Sequence, residues 1–304
     1  MEITAEQRKK AKGQGFISNK DGIHFSARIV TGNGVLTAAQ VRNLCEAAEK
    51  FGNGQIAFTS RLSVELPGIK YEDFENLKEH IAKADLSVGG TGPKVRPIVP
   101  CKGTFCSNGL YDTLGIGTKL HKRFYEGYRQ VNLPHKFKIG VGGCQNNCIK
   151  PETNDLGIVG QLVPKHEFEK CRGCKNCTVV KVCPMEALKI NDDGKITVDK
   201  SLCINCGKCI GKCAFGCIPE GEFAFKIFIG GRWGKKIRIG TPLKRLFNEE
   251  EALDIVEKAI LLFKYEGKQG ERFASVIDRL GMEKVEEILV SDDLLNKKEE
   301  IIGK

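Results

Sequence analysis

Twelve of the fourteen cysteines in this chain fall into short spacings that suit iron. The run Cys203-x2-Cys206-x2-Cys209-x3-Cys213 puts three thiolates at two-residue intervals against one [4Fe–4S] cubane and sends the fourth to a neighbouring cubane. The upstream partner is Cys171-x2-Cys174-x2-Cys177, followed by Cys183-Pro184. By that exchange, Cys171, Cys174, Cys177 and Cys213 hold one cluster, and Cys203, Cys206, Cys209 and Cys183 hold the other. Two features depart from the pattern: five residues instead of three precede Cys183, and Ala214 instead of proline follows Cys213. Both affect loop geometry more than ligand number. The alternative is a pair of zinc sites, which three thiols at two-residue intervals suit less well than a cubane.

A second set lies outside this module: Cys101-x4-Cys106 and Cys144-x3-Cys148. On spacing alone these four thiols hold a third [4Fe–4S] cluster, hold a structural zinc, or are buried and free. Cys45, on the apolar face of a helical stretch, reads as core. Cys217 reads as a spare thiol near a cluster, with no role assigned. The five histidines form no HxH or HExxH pattern and are assigned to no metal.

Composition narrows the setting. The formal charge is +10, from 48 basic and 38 acidic residues, without a block of five consecutive Lys or Arg and without aromatics interleaved among basic stripes. Nucleic acid is therefore a poor partner, and small anions or a polycarboxylate cofactor are better ones. A secreted disulfide scaffold would be shorter and would start with a signal peptide, and MEITAEQRKKAKGQGF has no apolar stretch. Nothing approaches an eighteen-residue apolar run, so no membrane span is expected. The expected location is the cytoplasm.

Around the second cysteine set the chain resembles the siroheme sulfite and nitrite reductases, whose signature is a cysteine pair followed by Cys-x3-Cys. Gly142-Gly143-Cys144-Gln145-Asn146-Asn147-Cys148 is similar to that segment. The resemblance implies a third [4Fe–4S] cluster on Cys101, Cys106, Cys144 and Cys148, with Cys148 also bridging to the siroheme iron. The first pair is one residue closer than the family spacing of five, with the ligand count intact. Such a site must hold an anion above a haem whose own carboxylates are negative, so it needs fixed cations. Three segments resemble the family's anion-binding motifs: Thr59-Ser60-Arg61, Arg96 five residues ahead of Cys101, and Leu133-Pro134-His135-Lys136-Phe137-Lys138. The resemblance thus implies that Arg61, Arg96, Lys136 and Lys138 surround the substrate. Period-two alternation puts both lysines on one face of a strand. By the same resemblance the Lys-x-Lys pair favours sulfite over nitrite, because the nitrite enzymes carry asparagine at the second position. Gln145, Asn146 and Asn147 are candidates to hydrogen-bond near the haem. Arg232, Lys235, Lys236 and Arg238 either meet its carboxylates or form a solvated basic loop.

The elements that must position these residues follow an α/β pattern. A strand over Ile23–Val30 precedes a helix opened by the capping-box pair Thr37 and Gln40 and closed at Gly52-Asn53-Gly54. Strands Gln55–Thr59 and Leu62–Leu66 follow, then a helix from Tyr71 to Ala84. This β-α-β-β-α order is a ferredoxin-like half-unit over residues 1–88. Past the Gly89-Gly90-Thr91-Gly92-Pro93 break come a strand near Pro97–Val99, a helix around Tyr111–Tyr128 and a strand over Phe137–Val141. A strand over Phe223–Ile229 precedes three helices: Glu249–Tyr265, Glu271–Leu280 and Met282–Leu289. Residues 89–165 and 220–304 are thus expected to form a mixed-sheet siroheme and cluster domain. Residues 166–219, with nine cysteines, form an inserted bacterial-type ferredoxin.

The whole pattern resembles most closely the catalytic subunit of the anaerobic, three-subunit sulfite reductases and the related dissimilatory enzymes. It implies six-electron reduction of sulfite to sulfide, with siroheme and three [4Fe–4S] clusters as cofactors. Donor subunits or a ferredoxin are the expected electron partners, in a homo- or hetero-oligomer. Nitrite reduction and a non-catalytic electron-transfer subunit are the alternatives. In longer fused enzymes of this kind the cations and cysteines come from opposite halves, so a half-length chain either shares its site across a dimer or assembles it alone.

Overall fold

The computed structural model describes residues 3–303. The first half builds one antiparallel sheet. A capping box between Thr4 and Gln7 opens helix α1 (Ala5–Gln14), so the basic N-terminal stretch is helical. Strands β1 (Phe16–Ser18) and β2 (Phe25–Val30) lead to α2 (Ala38–Phe51), which the Thr37–Gln40 capping box starts as expected. Strands β3 (Ala57–Phe58) and β4 (Val64–Ile69), helix α3 (Phe74–Ala82) and strand β5 (Ser87–Val88) complete the unit. The order is β1-β2-β4-β3, with β5 also on β2. Phe16, Phe25, Leu44, Leu66, Ile69 and Leu77 fill the core between sheet and helices. One expectation fails here. Cys45 is exposed, because α2 buries Leu44, Ala47, Ala48 and Phe51, and the next residue after Leu44 turns about 100° away from that face.

The second half is a mixed sheet covered by helices. Strand β6 (Val99–Pro100), helix α4 (Thr113–Leu120) with a wide π-turn over His121–Glu126, and β7 (Ile139–Gly142) come first. Next is β8 (Leu156–Pro164), which pairs parallel with β7 and antiparallel with a later strand. Residues 165–220 leave the sheet and form a small unit of their own. Its elements are helix α5 (Thr178–Lys181) and a hairpin of β9 (Leu188–Ile190) and β10 (Ile196–Val198), around a core that includes Val179, Leu188, Ile196, Cys217 and Ile218. The chain then returns as β11 (Gly221–Ile229), in register along the whole of β8 from Gly221 opposite Pro164 to Ile229 opposite Leu156, followed by β12 (Thr241–Pro242). The sheet order is β12-β11-β8-β7-β6.

Helices α6 (Glu249–Glu266), α7 (Phe273–Leu280), α8 (Met282–Val290), α9 (Asp293–Asn296) and α10 (Lys298–Gly303) close the domain. The α6 helix runs through the core, and its buried Glu257 is satisfied by Arg123, by Tyr128 Oη at 2.7 Å and by Lys298 at 2.7 Å. Among the described residues no helix is long and apolar enough to cross a membrane.

The central strand β8 was not anticipated. Its two glycines are both required by close packing. A Cβ on Gly157 would lie 2.5 Å from the Pro151 carbonyl carbon, and one on Gly160 would lie 2.6 Å from the Tyr111 ring.

Candidate functional site

The predicted cations converge where the two halves meet. Arg61 follows β3 in a tight loop closed by a 2.7 Å hydroxyl contact between Thr59 and Ser63. Its Nη1 donates to Asn154 Oδ1 at 3.1 Å and its Nη2 to the Pro97 carbonyl at 2.9 Å, which ties the first sheet to the second. The Arg96 N–H donates to the Phe137 carbonyl, and Val95 pairs with Phe137 in a parallel bridge, so Arg96 is set opposite Lys138. Lys136 and Lys138 flank the buried Phe137 just ahead of β7, which begins at Ile139.

These charges are crowded and partly dry. Burial, then Arg96, lowers the Arg61 pKa to about 10, and burial, then Arg28, lowers that of Arg96 to about 10. Burial, then Arg61, lowers Lys138 to about 8, and burial, then Arg272, lowers Lys136. One carboxylate stands among them. Asp155, fully buried, accepts the Lys138 N–H at 3.0 Å and Arg272 Nη2 at 2.9 Å. Burial pushes its carboxyl above the ordinary range, and Arg272 opposes that shift. Asp155, Arg272, Arg28 and Asn154 are members of the cluster that sequence reasoning missed. No spacing marks them, because their partners come from distant segments.

The Nε atoms of Arg61, Arg96, Arg232 and Arg272 are buried without a hydrogen-bond partner. A buried donor left unmade costs about 1–3 kcal/mol. Three of the four, Arg61, Arg96 and Arg272, lie close enough to Lys136 or Lys138 to act on their charge, and together they suit an anion or a carboxylate-bearing group.

The second cysteine set gathers at the carboxyl ends of two parallel strands, where open sheets commonly bind ligands. Cys101 follows β6 directly, and Cys144 follows β7. Cys101, Cys106 and Cys148 all lie close enough to Cys144 to act on its charge, and burial raises the Cys144 thiol. Cys101 Sγ accepts the Gly143 N–H at 3.1 Å, and Cys144 accepts that of Asn146. Tyr111 Oη donates to the Gly142 carbonyl at 3.0 Å beside them. Gln145 donates to the Gly160 carbonyl at 2.9 Å, and Asn147 donates to Glu152 at 2.6 Å with its Oδ1 left unpartnered. Asn146 and Cys148 are exposed. Lys138 thus leads into β7 and Cys144 leads out of it, so the two sets are separated by a strand of four residues, about 13 Å.

In residues 165–220, Cys183, Cys203, Cys206 and Cys209 line one cavity together with Pro164, Leu188 and Ile204. Cys183 therefore sits with the second triplet, the grouping that cubane exchange requires, and its sulfur accepts the Ala187 N–H at 3.3 Å. Cys171 and Cys213 each lie close to Cys217. Among the described residues no three His, Cys, Asp or Glu side chains converge as closely as one metal ion needs. The unit docks on β8, where the Leu162 N–H donates to the Asn205 carbonyl at 2.8 Å and Leu162 bridges to Cys206.

The basic loop after β11 divides. Arg238 is committed to the fold, bonding Asp278 at 3.0 Å and the Gly230 carbonyl at 2.9 Å, and pairing with Arg232. Arg232 bonds Ser275 at 3.2 Å and keeps its free Nε, while Lys235 and Lys236 are exposed.

Grouped thiols at one end of a strand and a nest of buried cations at the other define a candidate redox centre. Residues 17–84 match the nitrite/sulfite reductase ferredoxin-like half domain, and residues 91–298 match the nitrite and sulphite reductase 4Fe-4S domain. The chain belongs to the nitrite and sulphite reductase family. It is 32% identical over 276 residues to the coenzyme F420-dependent sulfite reductase of Methanocaldococcus jannaschii, a match covering 88% of this chain and 43% of that protein. It is 31% identical over 175 residues to a subunit of the anaerobic sulfite reductase of Salmonella typhimurium, covering 51% of this chain and 48% of the relative. The chain thus spans less than half the length of these two relatives. The crystal structure of dissimilatory sulfite reductase I superimposes with a TM-score of 0.69 at 20% identity, covering 88% of this chain and 69% of that one, which shows a shared fold.

Proposed function

We propose that the protein reduces sulfite to sulfide at a siroheme, with electrons supplied through ferredoxin-type clusters. The observation that carries this reading is the cradle of unpartnered guanidinium donors beside Lys136 and Lys138, at the opposite end of β7 from four grouped thiols. The siroheme, when bound, would supply an iron that takes the sulfur of sulfite and delivers six electrons. Cys148 would ligate that iron and, with Cys101, Cys106 and Cys144, a cluster beside it.

The chain's own groups account for the rest. Arg61 and Arg96 stay charged at neutral pH and would hold the anion's oxygens. Lys138, with a pKa of about 8, is well placed to give up a proton as each oxygen leaves as water. Arg232, with its free Nε, suits a siroheme carboxylate, and Lys236 would add charge near it. In the unit of residues 165–220, Cys171, Cys174, Cys177 and Cys213 would hold one [4Fe–4S] cluster, and Cys183, Cys203, Cys206 and Cys209 a second. The second is supported as the exit point: Leu162 touches its Cys206 and lies two residues, about 7 Å, along β8 from Gly160, which binds Gln145 of the Cys144–Cys148 loop.

An anaerobic absorption spectrum with iron and siroheme quantified tests this. Siroheme with about thirteen irons per chain, three cubanes and one haem, followed by faster turnover of sulfite than of nitrite, is expected. About eight irons and no siroheme, after expression in a siroheme-making host, would leave an electron carrier.

The separation of cations from thiols along β7 favours a second reading of the assembly, in which thiols of one copy face cations of another. Mixing Lys138→Glu chains with Cys148→Ala chains distinguishes the two arrangements, because a shared site regains turnover and a self-contained one does not.

A further inference from the structure

The Gly89-Gly90 joint between the two halves reads in sequence as a simple break, yet both residues are buried and one of them bonds the cation cluster. The Gly90 carbonyl accepts Arg96 Nη1 and, at 3.5 Å, Arg28 Nη1. Arg28 is held in turn by Glu65 Oε1, at 2.9 Å from Nε and 2.5 Å from Nη2. Gly90 itself sits at φ 69°, in the left-handed region, where a Cβ would also press on the Pro97 ring at 3.0 Å.

One side chain pins this joint. The Gly90 N–H donates to Tyr125 Oη at 3.1 Å, in a buried contact. Tyr125 is 6% exposed and belongs to the π-turn His121–Glu126. Such turns interrupt α-helices and recur at functional sites. The fit allows nothing larger than glycine at 89, because a Cβ there would run into the Tyr125 hydroxyl. Tyr125 and Arg96 thus meet at one residue: the phenol takes the Gly90 N–H, and the guanidinium bonds its carbonyl. With Nη1 tethered there, Arg96 Nε is left buried without a partner.

We propose that Tyr125 is a positioning residue for the anion site: it fixes Gly90, Gly90 fixes the Arg96 guanidinium, and the unpartnered Nε is thereby held ready for an oxygen of the bound anion. This rests on the reading of the cluster as a sulfite site. A free arginine side chain loses rotamer freedom when it meets a ligand, and a tether made beforehand removes that cost from binding. Phenylalanine at 125 would keep the ring against His121 but leave the Gly90 N–H unmade and Gly90 free to shift.

The test measures sulfite binding to the purified, siroheme-loaded protein from the shift of its absorption spectrum, for wild type, Tyr125→Phe, Arg96→Ala and the double variant. Carbon monoxide binding to the reduced protein is the control, because that ligand meets a haem iron without anionic oxygens. Tyr125→Phe is expected to keep siroheme content and carbon monoxide affinity and to weaken sulfite binding about five- to tenfold, in keeping with one buried hydrogen bond. In the Arg96→Ala background the same change should cost nothing further, since the side chain it positions is gone. Unchanged sulfite affinity in Tyr125→Phe overturns the proposal. So does equal weakening with and without Arg96, or a parallel loss of carbon monoxide binding, either of which makes Tyr125 a general support of the fold. A wild type that lacks siroheme, or holds it without binding sulfite, defeats the underlying site reading and the proposal with it, and that result is seen before any variant is compared.

Discussion

Arg272 Nη2 donates to both carboxylate oxygens of Asp155, at 2.9 and 3.0 Å, and so anchors the last turns before α7 to the residue that opens β8. The same carboxylate takes the Lys138 N–H at 3.0 Å. One buried carboxylate thereby organises a cluster made otherwise of cations, and fixes the backbone from which Lys138 projects.

Asp155→Asn removes the charge but little of the volume. Breaking a buried ion pair by neutralising one partner typically costs about 3–5 kcal/mol, because the other charge is left uncompensated. The expected result is a urea midpoint lowered accordingly, together with weaker sulfite turnover. A variant as stable as wild type would mean that Arg272 finds another partner.

Sulfite turnover should depend on the ionisation of Lys138. Its pKa of about 8 leaves it cationic below that pH and neutral above it, so kcat/KM is expected to fall as pH rises through 8. Lys138→Arg should move that limb upward, and a change in the ionisation of sulfite itself would not respond to the substitution. Lys136→Glu and Lys138→Glu should abolish turnover with cofactor content intact. Because the folded pKa lies below the ordinary 10.5, the charged lysine weighs against folding in full below pH 8, a penalty that fades between pH 8 and 10.5.

Cys183→Ala tests the crossing of ligands between motifs. It should remove the cluster shared with Cys203, Cys206 and Cys209, lowering iron by about four per chain and sparing the cluster at Cys171. Loss of the Cys171 cluster instead would mean that each motif keeps its own cysteine.

Gly157→Ala probes the central strand. The new methyl would press on main chain at Pro151, which cannot rotate aside, and overpacking of this kind costs about 1–3 kcal/mol. Thermal unfolding should shift down by a corresponding amount, and an unchanged midpoint would show that the Pro151–Thr153 turn yields.

Much of the fold was legible because its signals are local. The Thr37–Gln40 capping box, the glycine break after the first half and the apolar spacing of α6 each involve residues a few positions apart. The cysteine motifs are local for the same reason. What stayed hidden depends on distant partners. The glycines of β8 make sense only against Pro151 and Tyr111, and Asp155 is a site residue only because Arg272 reaches it. Cys45 was misjudged because a cysteine one step from Leu44 looks apolar in sequence, whereas the face of α2 that meets the sheet is narrower.

The pairing of Pro164 with Gly221 places both ends of the 165–220 segment at a single strand-pair spacing, where a two-residue turn would serve equally well. The segment is therefore a detachable cassette. A gene could gain or lose it without disturbing the sheet beneath, and an engineer could exchange it for another small unit, provided the replacement offers β8 a partner where Asn205 now meets Leu162.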